Sequence, residues 1–229
     1  MARYTPGVAG TLQGSVGNWT FSRNRWGPYV RTRAIPVSPN TTPQQLVKAF
    51  FGALSIAWSA TLTTAQRAAW NLYAANTPRP QSGGGVVYLT GHEHFIRSNV
   101  PRGQHFASFV LDAPIVFDVG TYTTPLCGIT SPASQISVTF DPLDAWANED
   151  GAHLLVWGAR PKGVGVNYFK GPWSVAGKID GASVLPPTSP ALIAYPYLVS
   201  GGQRAWFRAS VSRADGRLSD DVKLEATVI

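Results

Sequence analysis

The 229-residue chain is 44% hydrophobic and 14% charged, which is typical of a globular protein and argues against a disordered one. No run approaches the roughly 18 apolar residues of a membrane helix, and residues 1–10 lack a hydrophobic signal core, so we expect neither a membrane span nor a secretory signal. Cys127 is the single cysteine, which excludes an internal disulfide and a cysteine-built zinc site.

The charge of the chain is unevenly distributed. The formal net charge is +7, but residues 1–92 contain eight Lys or Arg residues and no Asp or Glu, whereas residues 93–229 contain eleven basic and twelve acidic residues. A segment of one charge sign is usually either solvated or turned toward an acidic partner. We therefore expect the front of the chain to contact another protein subunit or, as the alternative, nucleic acid.

Residues 1–41 are predicted to form an extended arm, because five glycines and four prolines interrupt any helical periodicity. Aromatic and arginine side chains alternate along this arm, whereas disordered tails contain few aromatics. The candidate interface residues are Trp19, Phe21, Arg23, Arg25, Trp26, Tyr29, Arg31 and Arg33.

These residue types support two interpretations. Trp, Tyr and Arg dominate the binding energy of protein interfaces, so the arm is expected to lie across a neighbouring subunit. Stacked aromatics and guanidinium groups also bind single-stranded nucleic acid. Platforms of that second kind present their side chains from a rigid sheet, whereas a chain rich in Gly and Pro has to be ordered by its partner first.

Two helices are predicted next, joined as a hairpin. Thr42 and the proline after it begin the first helix, whose apolar stripe continues to about Ala60. Thr63 and Gln66 form a capping box for the second helix, which ends at Asn76. A connection of about three residues forces the two helices to fold back on each other.

A third, short helix is predicted after a glycine hinge. Thr90 and Glu93 form another capping box, and the helix is expected to end near Asn99, before Pro101. Residues 103–126 contain short apolar runs broken by a proline and a glycine, which we interpret as connecting strands.

From residue 127 to residue 229 the apolar period changes to two, which predicts strands. The clearest are an alternating strand at Ile136–Phe140, a continuous apolar strand at His153–Ala159, and two alternating strands at Ala205–Val211 and Val222–Val228. An Asp215-Gly216 turn joins the last two as a hairpin. The predicted fold class is α+β, mainly β, with an extended N-terminal arm, a helical hairpin and a C-terminal immunoglobulin-like antiparallel β-sandwich.

Two resemblances follow from these segments. Residues 135–142 and 204–219 resemble the second strand and the last hairpin of fibronectin type III modules. The front of the chain, over about residues 10–100, is similar to a loosely defined group of uncharacterised proteins from phages and phage-like gene clusters. That second likeness rests on Gly14-Ser15-Val16-Gly17, Phe21-Ser22-Arg23, Gly27-Pro28-Tyr29-Val30-Arg31, Leu62-Thr63, Gln66-Arg67 and Ala69-Trp70.

The remaining polar motifs do not predict a catalytic or metal site. His92 and His94 are two residues apart, and two residues at this spacing do not lie on the same face of a helix. Gly83-Gly84-Gly85 lacks the Lys and Ser or Thr of a phosphate-binding loop and is interpreted as a hinge. The acidic loop Asp141–Asp150 is interpreted as a solvated loop, with calcium as the less favoured alternative, and Cys127 as a small buried hydrophobe.

The resemblance to phage proteins implies a non-enzymatic structural component of a virion, such as a head decoration, neck or tail protein, made in the cytoplasm of the bacterial host. We expect its partners to be other virion subunits in a multimeric assembly, with nucleic acid as the alternative partner and no membrane. No catalytic residue, metal or cofactor is expected.

Overall fold

The computed structural model describes residues 2–3, 12–24, 27–35, 39–80, 85–130, 134–169 and 171–229. The chain divides into two compact units, Met1–Thr41 and Thr42–Ile229. Among the described residues, no helix combines the length and the apolar composition that crossing a bilayer requires.

The N-terminal unit is a small antiparallel sheet and not the single extended arm that we expected. Its strands are β1 (Ala2–Arg3), β2 (Gly14–Val16), β3 (Trp19–Asn24) and β4 (Gly27–Thr32), in the order β1-β4-β3-β2. The chain reverses at Gly17 and Asn18, where Gly17 has a φ of 55°, a conformation that glycine adopts without strain. Glycine therefore acts here as a hairpin turn that lets the strands pair with one another.

The second unit begins with helices and a short hairpin. Helix α1 (Thr42–Ile56) continues into a π-helical segment (Ala57–Thr61) and is followed by α2 (Thr64–Asn76), by the paired strands β5 (Arg79–Pro80) and β6 (Val86–Val87), and by α3 (Gly91–Gln104). The three helices share a small core of Leu54, Leu62, Trp70, Tyr73 and Phe95.

Both predicted capping boxes are present. Thr63 N donates to Gln66 Oε1 at 2.9 Å, and Gln66 N donates to Thr63 Oγ1 at 3.2 Å. Thr90 and Glu93 make the same reciprocal pair at 2.7 and 3.3 Å. Each box satisfies backbone N–H groups that the first turn of a helix leaves without an intrahelical partner.

Helix α3 is longer than predicted, because it continues through Pro101 to Gln104. A proline inside a helix removes one backbone hydrogen bond. The turn that follows is held from outside the helix, because Arg102 and Gly103 are buried and Arg102 Nη1 donates to Ser212 Oγ at 2.9 Å. Tertiary contacts thus outweigh the local cost of the proline.

No strand forms between His105 and Pro125, although we expected connecting strands over residues 103–126. Side chains of the helices bind the backbone of this segment in place of a neighbouring strand. Asn99 both donates to Val110 O at 2.9 Å and accepts from Val110 N at 2.7 Å, and Trp70 Nε1 donates to Leu111 O at 2.9 Å.

Seven strands make up the rest of the second unit. They are β7 (Leu126–Thr130), β8 (Gln135–Thr139), β9 (His153–Ala159), β10 (Trp173–Asp180), β11 (Ala191–Ala194), β12 (Arg204–Ser212) and β13 (Val222–Thr227). They form two antiparallel sheets, one in the order β11-β8-β7 and the other in the order β10-β9-β12-β13. The positions of β8, β9, β12 and β13 confirm the strands predicted from the apolar period.

The two sheets share one hydrophobic core. Ile136 and Val138 from β8 pack with Leu154 and Val156 from β9, and Phe207 joins them from β12. These residues alternate along their strands with residues of the opposite face, as strand geometry requires.

Strand β9 is buried on both faces, which explains its continuous apolar sequence. Leu154 and Val156 face the shared core, whereas Leu155 and Trp157 pack on the other face against Leu218. The His105 ring lies at the end of α3, 4.5 Å from the Trp157 ring and nearly perpendicular to it. The end of α3 therefore packs against the outer face of the four-stranded sheet.

Arg102 joins the helices to the sheets. Its side chain is 3% exposed, and its guanidinium makes five contacts. Nε donates to Ser108 O (2.7 Å), Nη1 to Ser212 Oγ (2.9 Å) and Arg213 O (3.0 Å), and Nη2 to Gly151 O (3.2 Å) and His153 Nε2 (3.5 Å). Every N–H of the guanidinium therefore has an acceptor, as a buried charge requires.

We predict that Arg102→Met lowers the free energy of unfolding by about 3 to 5 kcal/mol, because the buried Ser212 hydroxyl and three partly buried carbonyl groups lose their donor. Urea unfolding followed by tryptophan fluorescence measures this change. Arg160→Met, the same substitution at an exposed arginine, is the control and is expected to stay within about 0.5 kcal/mol of wild type. Equal stability of the two variants would show that apolar packing alone joins the helices to the sheets.

Candidate interaction surface

The register of the N-terminal sheet sorts the predicted interface residues onto two faces. Trp19 pairs with Thr32, Phe21 with Val30, and Arg23 with Pro28. Directly paired residues share a face, and successive residues of a strand alternate between faces. One face, which we call the Trp19 face, therefore consists of Val16, Trp19, Phe21, Arg23, Pro28, Val30 and Thr32.

The opposite face is polar. Thr20 pairs with Arg31, and Ser22 with Tyr29, while Ser15 and Thr20 join their hydroxyl groups at 2.9 Å. Two predicted interface residues, Tyr29 and Arg31, therefore lie on this side and not beside Trp19.

The other three predicted residues are Arg25, Trp26 and Arg33. Arg33 follows β4, and its backbone N donates to Asn18 O at 2.7 Å across the hairpin. Arg25 and Trp26 lie outside the described residues. The structure thus brings Trp19, Phe21 and Arg23 together and places Tyr29 and Arg31 on the opposite face.

The Trp19 face is accessible. Trp19 is 53% exposed and Val16 is also exposed, and no described side chain of Met1–Thr41 belongs to the buried class. A sheet with one apolar face reaches a stable arrangement when that face packs against a second layer. This face presents an indole, a phenyl ring and two valines beside one guanidinium.

The second unit contains a polar cleft that sequence reasoning missed. The cleft has a volume of about 410 Å³ and lies among α2, α3, residues 117–122 and residues 218–220. Arg79 and Arg97 both pair with Asp220 there, and Arg97 also donates to the carbonyl groups of Leu218 and Ser219 at 3.2 and 3.1 Å. Both arginines are therefore engaged by the chain itself.

The residues of the His92-Glu93-His94 motif cap and pack the helices. Glu93 caps α3 through Thr90. His92 contacts the Trp58 ring at 5.3 Å, and the buried His94 contacts the Tyr73 ring at 5.3 Å. Among the described residues, no group of three or more His, Cys, Asp or Glu side chains is placed to hold a metal ion.

A row of Asp180, His153 and Ser212 crosses three neighbouring strands and has the residue types of a nucleophilic triad. His153 Nδ1 donates to Asp180 Oδ1 at 2.7 Å. No hydrogen bond joins Ser212 to the paired His153, however, because both bind Arg102: Nη1 donates to Ser212 Oγ and Nη2 to His153 Nε2. Ser212 is fully buried, so this row is part of the Arg102 contact network.

The two remaining candidates from the sequence, Cys127 and the acidic loop, both make contacts within the chain. Cys127 packs against the core of the two sheets, and burial raises the pKa of its thiol to about 12, so it is a protonated, unreactive thiol at neutral pH. In the acidic loop, Asp144 accepts from Thr123 N at 2.9 Å and Asp150 accepts from Ser183 N at 2.8 Å.

Comparisons with known proteins give one similarity in structure. No protein-family model and no curated protein matches the sequence. Among solved structures, the chain is similar to a Fn3-like protein from Clostridium thermocellum, with 13% sequence identity and a TM-score of 0.30, over 48% of this chain and 93% of that one. A TM-score of 0.30 does not establish a shared fold.

We predict that His94 makes the fold sensitive to acid. Burial lowers the pKa of His94 from 6.5 to about 4, so below pH 6.5 the unfolded chain binds a proton that the folded chain does not. The stability linked to His94 is thus present above pH 6.5 and is lost as the pH falls to about 4. Replacing it by His94→Gln should reduce the loss of unfolding free energy between pH 7 and pH 4 by about 3 kcal/mol. Urea unfolding at both pH values measures this loss, and an unchanged pH dependence would contradict the prediction.

Proposed function

We propose that this protein is a non-enzymatic structural component of a phage-like virion. In this proposal the N-terminal sheet and the helices anchor it to neighbouring subunits, and residues 126–229 form a fibronectin III-like β-sandwich displayed by the assembly. The observation that carries the proposal is the accessible Trp19 face, on a sheet in which no described side chain is buried.

The strand order supports the β-sandwich. The chain passes from β7 and β8 in one sheet to β9 and β10 in the other, returns at β11, and ends with the hairpin β12–β13 in the second sheet. Such crossings between two antiparallel sheets over a common core are characteristic of immunoglobulin-like sandwiches. The segments that resemble fibronectin type III modules are β8 and the region that begins with β12.

The physical requirements of a small sheet support the anchoring role. A unit of about 40 residues rarely buries enough apolar surface to be stable without disulfides, metals or a partner. A neighbouring subunit packed on the Trp19 face would supply the second layer. Trp19 and Arg23 belong to residue types that contribute most at protein interfaces.

Helix α1 offers a second apolar contact region. Leu54 is its one buried residue, whereas Leu46, Phe51 and Ile56 are exposed. An apolar helix that covers so little of its own surface within the chain is suited to contact another subunit. The virion itself is inferred from the resemblance of about residues 10–100 to proteins of phages and phage-like gene clusters.

We predict that the double variant Trp19→Ala with Phe21→Ala fails to enter particles. Each truncated interface aromatic is expected to cost about 2 to 4 kcal/mol of binding free energy, so incorporation should fall at least about tenfold. The amount of variant in particles purified from host cells measures this effect. Wild-type incorporation would contradict the anchoring role.

Thr20→Ala with Ser22→Ala is the matched control, because these residues occupy the same strand on the opposite face. This control should enter particles as wild type does. The melting temperature of the second unit should be unchanged in both double variants, which separates loss of anchoring from loss of folding.

One observation favours the alternative, a nucleic-acid-binding protein. Trp19, Phe21 and Arg23 alternate on one face of a sheet, and single-strand binding platforms present aromatic and basic side chains in this way. The argument against such a platform was that a Gly-rich and Pro-rich arm has no rigid sheet. That argument no longer applies, because Gly14–Val16, Trp19–Asn24 and Gly27–Thr32 form a sheet.

Salt dependence separates the two functions. If the Trp19 face binds single-stranded DNA, the logarithm of the affinity should fall linearly with the logarithm of the salt concentration, and Arg23→Ala should reduce the slope by about 0.7. Fluorescence anisotropy of a labelled oligonucleotide measures it, with Lys223→Ala in β13 as the control. Our proposal predicts no such Arg23-dependent binding.

A further inference from the structure

The strand directions place the loops of the two-sheet region at two opposite ends. Strand β9 runs from His153 to Ala159, and β10 returns antiparallel to it from Trp173 to Asp180. The loops at residues 141–152 and 181–190 therefore lie at one end of the sheets. The loops at residues 160–172 and 195–203 lie at the other.

The first end, which we call the acidic end, is formed by residues 141–152 and 181–190. These two segments contain four carboxylates and no Lys or Arg. The loop at residues 213–221 lies at the same end, because Ser212 pairs with His153, and it adds three aspartates and two arginines, so the end is net acidic. Glu149 pairs with Arg213, whereas the aspartates of the two segments accept hydrogen bonds from neutral donors, as Asp150 does from Ser183. Neutral donors leave the negative charge of these carboxylates uncompensated.

The second end, which we call the basic end, is formed by the described residues of 160–172, by residues 195–203 and by Arg204 at the start of β12. These residues include the basic side chains Arg160, Lys162 and Arg204 and no Asp or Glu.

The long loop of the basic end is held in place at several points. Lys162 and Arg204 exchange backbone hydrogen bonds at 2.9 Å, and Arg204 Nη1 donates to Asn167 Oδ1 at 2.7 Å. Phe169 stacks on Trp206 with ring centroids 5.3 Å apart. The neighbouring Tyr168 is 71% exposed. The loop thus presents a fixed surface to a partner.

Both ends also expose large apolar side chains. Leu143 is 86% exposed and Val184 is 93% exposed at the acidic end, and Leu198 is 92% exposed at the basic end. Apolar contacts supply binding energy, while opposite charges around them select the partner and set the orientation.

We propose that copies of this chain associate head to tail, with the basic end of one copy docked on the acidic end of the next. The charge complementarity of the two ends identifies the occupant as a second copy. Contacts between two like ends are disfavoured, because they would bring charges of one sign together. A contact between two different surfaces leaves one acidic and one basic end open, so the association extends beyond a dimer.

Sedimentation velocity of the full chain over a concentration series tests this proposal. At about 10 mM salt, where the Debye length is about 30 Å, the wild-type sedimentation coefficient should rise with protein concentration, and less so at about 1 M salt. Two variants each block one end: Arg160→Glu with Lys162→Glu at the basic end, and Leu143→Lys with Val184→Lys at the acidic end. Each alone should weaken self-association by about tenfold or more.

The mixture of the two blocked variants is the decisive sample. Each variant retains one intact end, so a mixture should form a one-to-one complex with wild-type affinity, although each variant alone stays monomeric. Lys223→Glu in the exposed part of β13 is the matched charge reversal away from both ends and should associate as wild type does.

Three outcomes would overturn the proposal. The first is a wild-type protein that stays monomeric at low salt. Binding of anionic lipid vesicles by such a monomer would show that the basic end contacts membranes and not a second copy. The second is self-association that both blocked variants retain, which would assign the contact to the N-terminal sheet. The third is a mixture in which no complex forms.

Discussion

The buried guanidinium of Arg102 sets the arrangement of the second unit. A cation without a carboxylate in contact is tolerated inside a protein when each of its N–H groups has an acceptor. Arg102 finds its acceptors on Ser108, Gly151, Ser212 and Arg213, and on the His153 ring. These groups come from separate loops and strands, so satisfying one side chain fixes α3, the segment after it and the four-stranded sheet relative to one another.

The parts of the fold that depend on local or periodic patterns were predictable from sequence. The capping boxes of α2 and α3 involve residues three apart, and β9, β12 and β13 have clear apolar periods. Residues 105–125 were not predictable, because Asn99 and Trp70 bind their backbone from distant positions. The role of Arg102 has no sequence signal at all, since its acceptors lie up to 111 residues away.

The candidate site was predictable in residue type but not in arrangement. Alternation of aromatic and basic residues indicated an interaction segment, yet the faces follow from the registers of β3 with β2 and of β3 with β4. Register places Trp19 beside Phe21 and moves Tyr29 to the other side. The signal that was available is Gly17-Asn18 between two short extended segments, a two-residue hairpin turn that we interpreted as an interruption.

Hydrogen–deuterium exchange on the full chain, alone and in assembled particles, tests most directly the central claim that the N-terminal sheet needs a partner and the second unit does not. In the isolated protein, amides of β9, β12 and α3 should be protected to a similar free energy, as parts of one cooperative unit, while amides of β3 and β4 exchange quickly. In particles, β3 and β4 should become protected. Protection of β3 and β4 equal to that of β9 in the isolated protein, unchanged by assembly, would contradict the account.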